Sequence, residues 1–269
     1  RAQGAAARQF AGTLAADGML TLRSGETELQ SWAFTVVPDS PPAIRFADDP
    51  KRAANGALEL SYEVEDDYGA TSARAVFEQA GEAAPDARPL YDAPEMPLAL
   101  PRRNGRDIAA RTVRDLTEHP WAGSRVALTL HAADAADQEA RSETRTIVLP
   151  ERPFSNPLAK ALVELRRMLA LDANRKGRVL ALIDAITLRP EDTFDNLSHY
   201  LGLMSARSRL GHAADDEALR GAADYLWEMA LAIEDGALTD AERRLRQAQE
   251  ALRQALENGA SDEEIEQLM

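Results

Sequence analysis

The chain of 269 residues carries a formal net charge of −14 and contains no cysteine. Because this excess of acidic groups repels phosphate backbones and anionic lipid headgroups, we expect no nucleic-acid partner. The lack of cysteine excludes disulfides, thiolate catalysis and cysteine-ligated zinc. The chain is long enough for two domains with separate cores, and it contains no apolar run of the roughly 20 residues that cross a bilayer.

The first 38 residues predict short β-strands rather than a complete domain. Residues 19–22 form one strand between two glycine turns, and Trp32, Phe34 and Val36 alternate at period two in a second strand. Their apolar face is too large for 38 residues to cover. We interpret residues 1–38 as the C-terminal strands of a β-sandwich domain, either truncated upstream or completed by the domain that follows.

Residues 39–151 predict a β-domain that begins after a proline-rich linker. Apolar residues alternate with polar ones in its clearest strand, at Leu58, Leu60, Tyr62 and Val64. Further short strands are predicted at 73–77, 126–134 and 141–149. Strands of this kind, separated by turns and without intervening helices, are typical of an antiparallel β-sandwich.

The hydrophobic period changes between residues 146 and 161, where three prolines separate alternating strands from a helical pattern. Asn156 is a suitable N-cap and Pro157 a suitable first helical residue, which predicts a helix that runs to about Arg175. Gly177 is then expected to interrupt the helical pattern before it resumes. We therefore interpret residues 152–269 as an α-helical domain, truncated at its C-terminus.

Three later features predict where further helices end or start. A helix through Leu219 and Ile233 is expected to end at Gly236. Capping boxes that begin at Thr239 and Ser261 predict two more helix starts. The first of these helices carries a narrow apolar seam formed by Leu245, Ala248, Leu252 and Leu256.

Residues 125–149, R-V-A-L-T-L-H-A-A-D-A-A-D-Q-E-A-R-S-E-T-R-T-I-V-L, resemble the final hairpin of bacterial immunoglobulin-like and cadherin-like repeats. The expected fold is therefore an immunoglobulin-like antiparallel β-sandwich followed by an α-helical bundle. Residues 226–248 also resemble a tetratricopeptide-type helical hairpin, but a single copy favours a plain bundle over a repeat array.

A broader resemblance rests on five segments in order: P-P-A-I-R-F, Y-E-V-E-D-D-Y-G-A, D-L-T-E-H-P-W-A-G, N-P-L-A-K-A-L-V-E-L-R-R-M-L-A-L-D and L-W-E-M-A-L-A-I-E-D-G-A-L-T-D-A. Together they resemble an uncharacterised family of bacterial inner-membrane proteins with a domain of unknown function. The resemblance implies a periplasmic region whose membrane attachment lies in segments outside this chain. It brings no catalytic residues with it.

The loop before residue 123 holds a local cluster of titratable and aromatic residues: Asp115, Glu118, His119 and Trp121. These four are the candidate contacts for a ligand or partner. A tryptophan that plugs the end of a sandwich would explain the same cluster without any ligand.

Paired aspartates and the four histidines are the candidate metal ligands in the sequence. The paired aspartates at 48–49, 66–67 and 134/137 fall in predicted loops, where carboxylates either bind calcium or cap turns. No calcium-loop motif is present, and the four histidines lack zinc-ligand spacing. We therefore expect no cofactor, with calcium as the remaining alternative.

Nucleophile and phosphate-loop motifs are absent from the sequence, so we expect no enzymatic activity. The leading hypothesis is a periplasmic spacer and protein-interaction module of a membrane-anchored cell-envelope protein. The alternative is a protein that binds or acts on peptidoglycan or another glycan through residues 115–121 or an inter-domain cleft. Expected partners are other cell-envelope proteins, or a second copy through the helical region.

Overall fold

The computed structural model describes residues 16–81, 86–101 and 108–257, with side chains described as far as Gly236. Strands come first in these ranges and helices follow, so the predicted order is confirmed. The strands are β1 (Gly18–Ser24), β2 (Thr27–Phe34), β3 (Ala43–Phe46), β4 (Lys51–Arg52), β5 (Leu58–Glu65), β6 (Ser72–Gln79), β7 (Met96–Pro97), β8 (Ala109–Arg114), β9 (Arg125–Ala133), β10 (Glu139–Arg141) and β11 (Arg145–Val148). The helices are α1 (Pro157–Leu171), α2 (Lys176–Ile186), α3 (Pro190–Thr193), α4 (Leu197–His212) and α5 (Asp216–Glu257).

Strands β1 and β2 form an antiparallel hairpin that hydrogen-bonds to no other strand among the described residues. Leu20 pairs with Trp32, so the two share a face, and they are 54% and 43% exposed. The sequence predicts that this apolar face is covered. Neither the following strands nor any other described part of the chain covers it.

The second sheet is built on β5, which pairs with β3 and β4 on one side and with β8 on the other. Its predicted alternation is confirmed, because Leu58, Leu60, Tyr62 and Val64 are all buried. Glu59 on the opposite face is buried as well, since Lys51 and Arg111 lie over its carboxylate.

The third sheet has β9 at its centre, with β10 and β11 on one side and β6 and then β7 on the other. Every strand pair in the second and third sheets is antiparallel. Apolar residues from both sheets form one cluster, including Tyr62, Phe77, Leu128 and Leu130. We call residues 39–151 the β-unit.

Helix α1 begins as the sequence predicts, with the Asn156 side chain accepting hydrogen bonds from the N–H groups of Leu158 and Ala159. It ends at Leu171, earlier than predicted. The Asp172 carboxylate accepts from the N–H groups of Asn174 and Arg88, which starts a short 3-10 turn over Ala173–Arg175. Tertiary hydrogen bonds therefore set this boundary, and Gly177 lies inside α2.

The predicted helix end at Gly236 and the predicted helix start at Thr239 are both wrong, because α5 continues unbroken from Asp216 to Glu257. Gly236 does not adopt the positive φ of a C-terminal glycine cap. Strong helix formers surround it and outweigh a glycine cost of roughly 1 kcal/mol. The helical hairpin suggested for residues 226–248 is therefore wrong. The capping box at Ser261 lies outside the described residues.

Candidate functional site

The loop that carries the predicted site residues is shaped by its own side chains. The Asp115 carboxylate accepts hydrogen bonds from the backbone N–H (2.9 Å) and the hydroxyl (2.6 Å) of Thr117. These bonds, the hydroxyl one first, lower the pKa of Asp115. The next turns close through His119 N to Leu116 O and Ala122 N to His119 O. Asp115 therefore holds the turn, and its carboxylate points back onto the loop.

Trp121 packs inside the β-unit and is only 5% exposed. Its indole Nε1 donates to the carbonyl oxygen of Tyr91 at 3.2 Å. Its backbone N–H donates to His119 Nδ1 at 3.1 Å, and the two rings meet edge to face. Burial, and then the nearby charge of Arg166, lower the pKa of His119, so the imidazole stays neutral and can accept.

Arg166 on α1 joins the helices to this loop. Both of its terminal nitrogens donate to the backbone carbonyl of Glu118 at 3.1 Å, and its guanidinium lies 4.4 Å from the ring centroid of Trp227 on α5. The residue is 7% exposed. Glu118 contributes only its backbone to this contact, because its side chain is exposed and lies 3.8 Å from Arg152.

Tyr91, in the segment between β6 and β7, also joins the β-unit to the helices. Its hydroxyl donates to the Asp224 carboxylate at 2.7 Å, and the neighbouring Leu90 belongs to the helical core. Burial and then the hydrogen bond to Asp224 raise the pKa of Tyr91, which keeps its proton in place. We call Tyr91, Trp121, Arg166, Asp224 and Trp227 the junction.

The structure brings three of the four predicted site residues, Glu118, His119 and Trp121, to the junction. Asp115 instead stabilises the turn that precedes them. The sequence analysis did not name Tyr91, Arg166, Asp224 or Trp227 as site residues. One signal was available for Arg166, since it lies in the helical stripe formed by Leu162, Leu165 and Leu169. A charged residue in such a stripe is buried only when paired.

The junction leaves little room for a ligand. The void between the loop and the helices measures about 10 Å³, which accommodates at most one water molecule. Its lining offers a histidine, His119, and a single carboxylate, from Glu151, together with three arginines, Arg152, Arg166 and Arg167. The arrangement is that of a packed contact between the β-unit and the helices.

A groove of about 780 Å³ lies at the other end of the helices, where the first turns of α1 and α4 meet α5. Its floor is apolar, formed by residues such as Leu158, Ile186, Phe194 and Ile233. Asp192 and Asp195 add negative charge at its edge. Leu197 lines it and is 69% exposed. We call it the helical groove.

Two aspartates of the predicted pairs cap turns, since Asp66 accepts from the N–H of Tyr68 and Asp134 accepts from two N–H groups of its own turn. Asp67 accepts from the N–H of Ser40, in the segment before β3, and Asp49 forms an ion pair with Arg145. Within the described ranges, no three histidine, aspartate or glutamate side chains are grouped closely enough to hold a metal ion.

Comparison with known families gives a match that covers the whole sequence. The model of a domain of unknown function, DUF4175, matches residues 1–269. The chain belongs to the DUF4175 family. This membership agrees with the resemblance to an uncharacterised family noted from the sequence. The DUF4175 chain matches no curated protein. In the part of it that the structure describes, no helix has both the length and the apolarity required to cross a bilayer.

Proposed function

We propose that this DUF4175 chain is a non-enzymatic periplasmic spacer and protein-interaction module of a membrane-anchored cell-envelope protein. In this proposal the two sheets of the β-unit form an immunoglobulin-like sandwich and the helices form a bundle. The observation that carries it is the helical groove, whose exposed Leu197, apolar floor and acidic edge suit an amphipathic protein segment.

The junction supports the spacer part of the proposal. A buried tryptophan, a buried arginine and hydrogen bonds across the two units resist bending between them. A stiff connection of this kind would hold the helical groove at a fixed distance from the β-unit. The cell location and the membrane attachment outside this chain rest on the sequence resemblance, and a periplasm-specific reporter fusion tests them.

The docking part is tested by a photo-crosslinking residue at Leu197 in the full-length protein in cells. We expect a discrete crosslinked product, either with another envelope protein or with a second copy of this chain. The matched control places the same residue at Arg178, an exposed position on α2. The proposal fails when position 197 gives no discrete product, or when both positions give the same diffuse pattern.

The glycan-binding alternative predicts that the purified protein is retained on isolated peptidoglycan. Trp121 is a poor position for that test, because its replacement would damage the core. Glu118→Ala is better, since this side chain is exposed, its contact with Arg152 is a 3.8 Å ion pair at the surface, and the junction uses the Glu118 backbone carbonyl. Retention that Glu118→Ala abolishes would favour the alternative.

A further inference from the structure

Helix α5 is much longer than the helices packed on it. The Glu234 carboxylate accepts from the N–H groups of Ser155 and Asn156, so α1 begins opposite Glu234. Arg166, farther along α1, lies over Trp227, which shows that the two helices run antiparallel. Gly236 lines the helical groove together with residues at the start of α4. Helices α1 and α4 therefore both begin near this level of α5.

The remaining 21 residues of α5, 237–257, continue past that level. We call them the α5 extension. At 1.5 Å per residue, a straight extension projects about 31 Å. The helical groove lies at its base.

The α5 row that meets α1 continues along the extension in sequence. Trp227 and Glu234 are seven residues apart and both contact α1 or the residues just before it. The next members of this row are Ala241, Ala248 and Ala255. Leucines precede each of them by three positions, at Leu238, Leu245 and Leu252. Three heptads with apolar residues at both core positions predict a helix that pairs with another helix.

We propose that the α5 extension pairs antiparallel with the same extension of a second copy of this chain. A parallel partner on this row would run into α1, which already occupies the row below Gly236. An antiparallel partner fits above α1, and residue 257 of that partner would lie at the level of Gly236, beside the helical groove and the first turn of α1.

The antiparallel register follows from the heptads. Leucine positions of one copy lie opposite alanine positions of the other when Leu252 faces Ala241 and Leu245 faces Ala248. Alanine at one core position of each layer lets the two helix axes approach closely. At the flanking positions, Glu242 then lies nearest Gln249 and Arg244 nearest Ala251, so no like charges are opposed.

This inference rests on the proposed function, because it names the occupant of the helical groove. It is tested on the full-length protein by sedimentation velocity and by engineered disulfides, to which residues 1–269 contribute no native cysteine. We expect a concentration-dependent dimer. Under oxidation, Ala241→Cys combined with Leu252→Cys should give a covalent dimer, while Leu252→Cys alone should not, because a disulfide requires adjacent Cβ atoms.

Two variants that add the same charge distinguish a specific effect on the seam from a general effect of added charge. Leu245→Lys places a charge on the seam and should weaken the dimer about tenfold or more. Gln254→Lys adds the same charge away from the seam and should leave the dimer unchanged. Far-UV circular dichroism checks that both variants keep their helix content.

Two results would overturn the inference. One is a strict monomer at every concentration, and the other is a covalent dimer formed by Leu252→Cys alone, which indicates a parallel pair. A strict monomer that still crosslinks to a different envelope protein from Leu197 refutes the dimer and leaves the proposed function standing. A monomer without any crosslink from Leu197 refutes both.

Discussion

The guanidinium of Arg166 donates two hydrogen bonds of 3.1 Å to the backbone carbonyl of Glu118, so that α1 grips the loop that carries Trp121. The acceptor is a main-chain oxygen, and no acidic side chain is needed for the contact. The same guanidinium is stacked on Trp227 of α5. One buried cation thereby ties the β-unit to two helices.

Arg166→Ala should destabilise the whole chain. It removes two charge-assisted hydrogen bonds and a cation–π contact and leaves the Glu118 carbonyl without them, an expected loss of roughly 2–4 kcal/mol. Urea unfolding followed by tryptophan fluorescence measures it. Arg178→Ala, at an exposed position on α2, is the control and should change stability by less than about 0.5 kcal/mol. Equal effects of the two variants would show that the junction contributes little.

The junction shows which features of the structure could be predicted from the sequence. Alternation located β5, and the Asn156-Pro157 pair located the start of α1, because both signals are local. The sequence singled out Trp121 but not Tyr91, which lies 30 residues earlier in a proline-rich segment. Their contact depends on how that segment folds back onto the helices, and no local pattern encodes such a contact.

Glu234 should make stability depend on pH. Burial alone would raise its pKa, but hydrogen bonds from Ser155 and Asn156 outweigh burial and lower the pKa. A carboxyl whose folded pKa lies below its unfolded value, about 4.3, stabilises the fold fully above that value. This contribution is lost as the pH falls through the folded pKa.

Glu234→Gln tests this pH dependence. The variant should be less stable than the parent chain by roughly 1–3 kcal/mol at pH 7. Chemical unfolding at a series of pH values should show the difference shrinking as the pH falls below about 4. A control is Glu228→Gln, at an exposed position of α5. A Glu234→Gln difference that is constant from pH 7 to pH 3 would assign the loss to packing rather than to the charge.

Removal of divalent cations should leave the thermal midpoint unchanged. Asp66 and Asp134 already accept backbone N–H groups of their own turns, from Tyr68 and from Ala136 and Gln138. Differential scanning fluorimetry with and without a chelator, and after calcium is added back, measures this. A midpoint that falls with chelator and recovers specifically with calcium would establish the calcium alternative.

Gly236→Ala should stabilise the protein, because Gly236 lies inside the continuous α5. The sequence predicted a helix end here since glycine followed by a capping box is a common local stop signal. The unbroken helix instead gives Gly236 a helical backbone, and an added Cβ meets no atom within 4 Å. Alanine in that setting should gain roughly 0.5–1 kcal/mol.

Gly123→Ala is the opposite control. Gly123 has a φ of +77°, and an added Cβ would collide with the side chains of Glu151 and Arg167, which form an ion pair beside it. The variant should lose about 1 kcal/mol or more from backbone strain alone. Urea unfolding of both variants should therefore give shifts of opposite sign. Loss of stability in Gly236→Ala would instead place a left-handed cap at Gly236 and a break in α5, which would remove the base of the α5 extension.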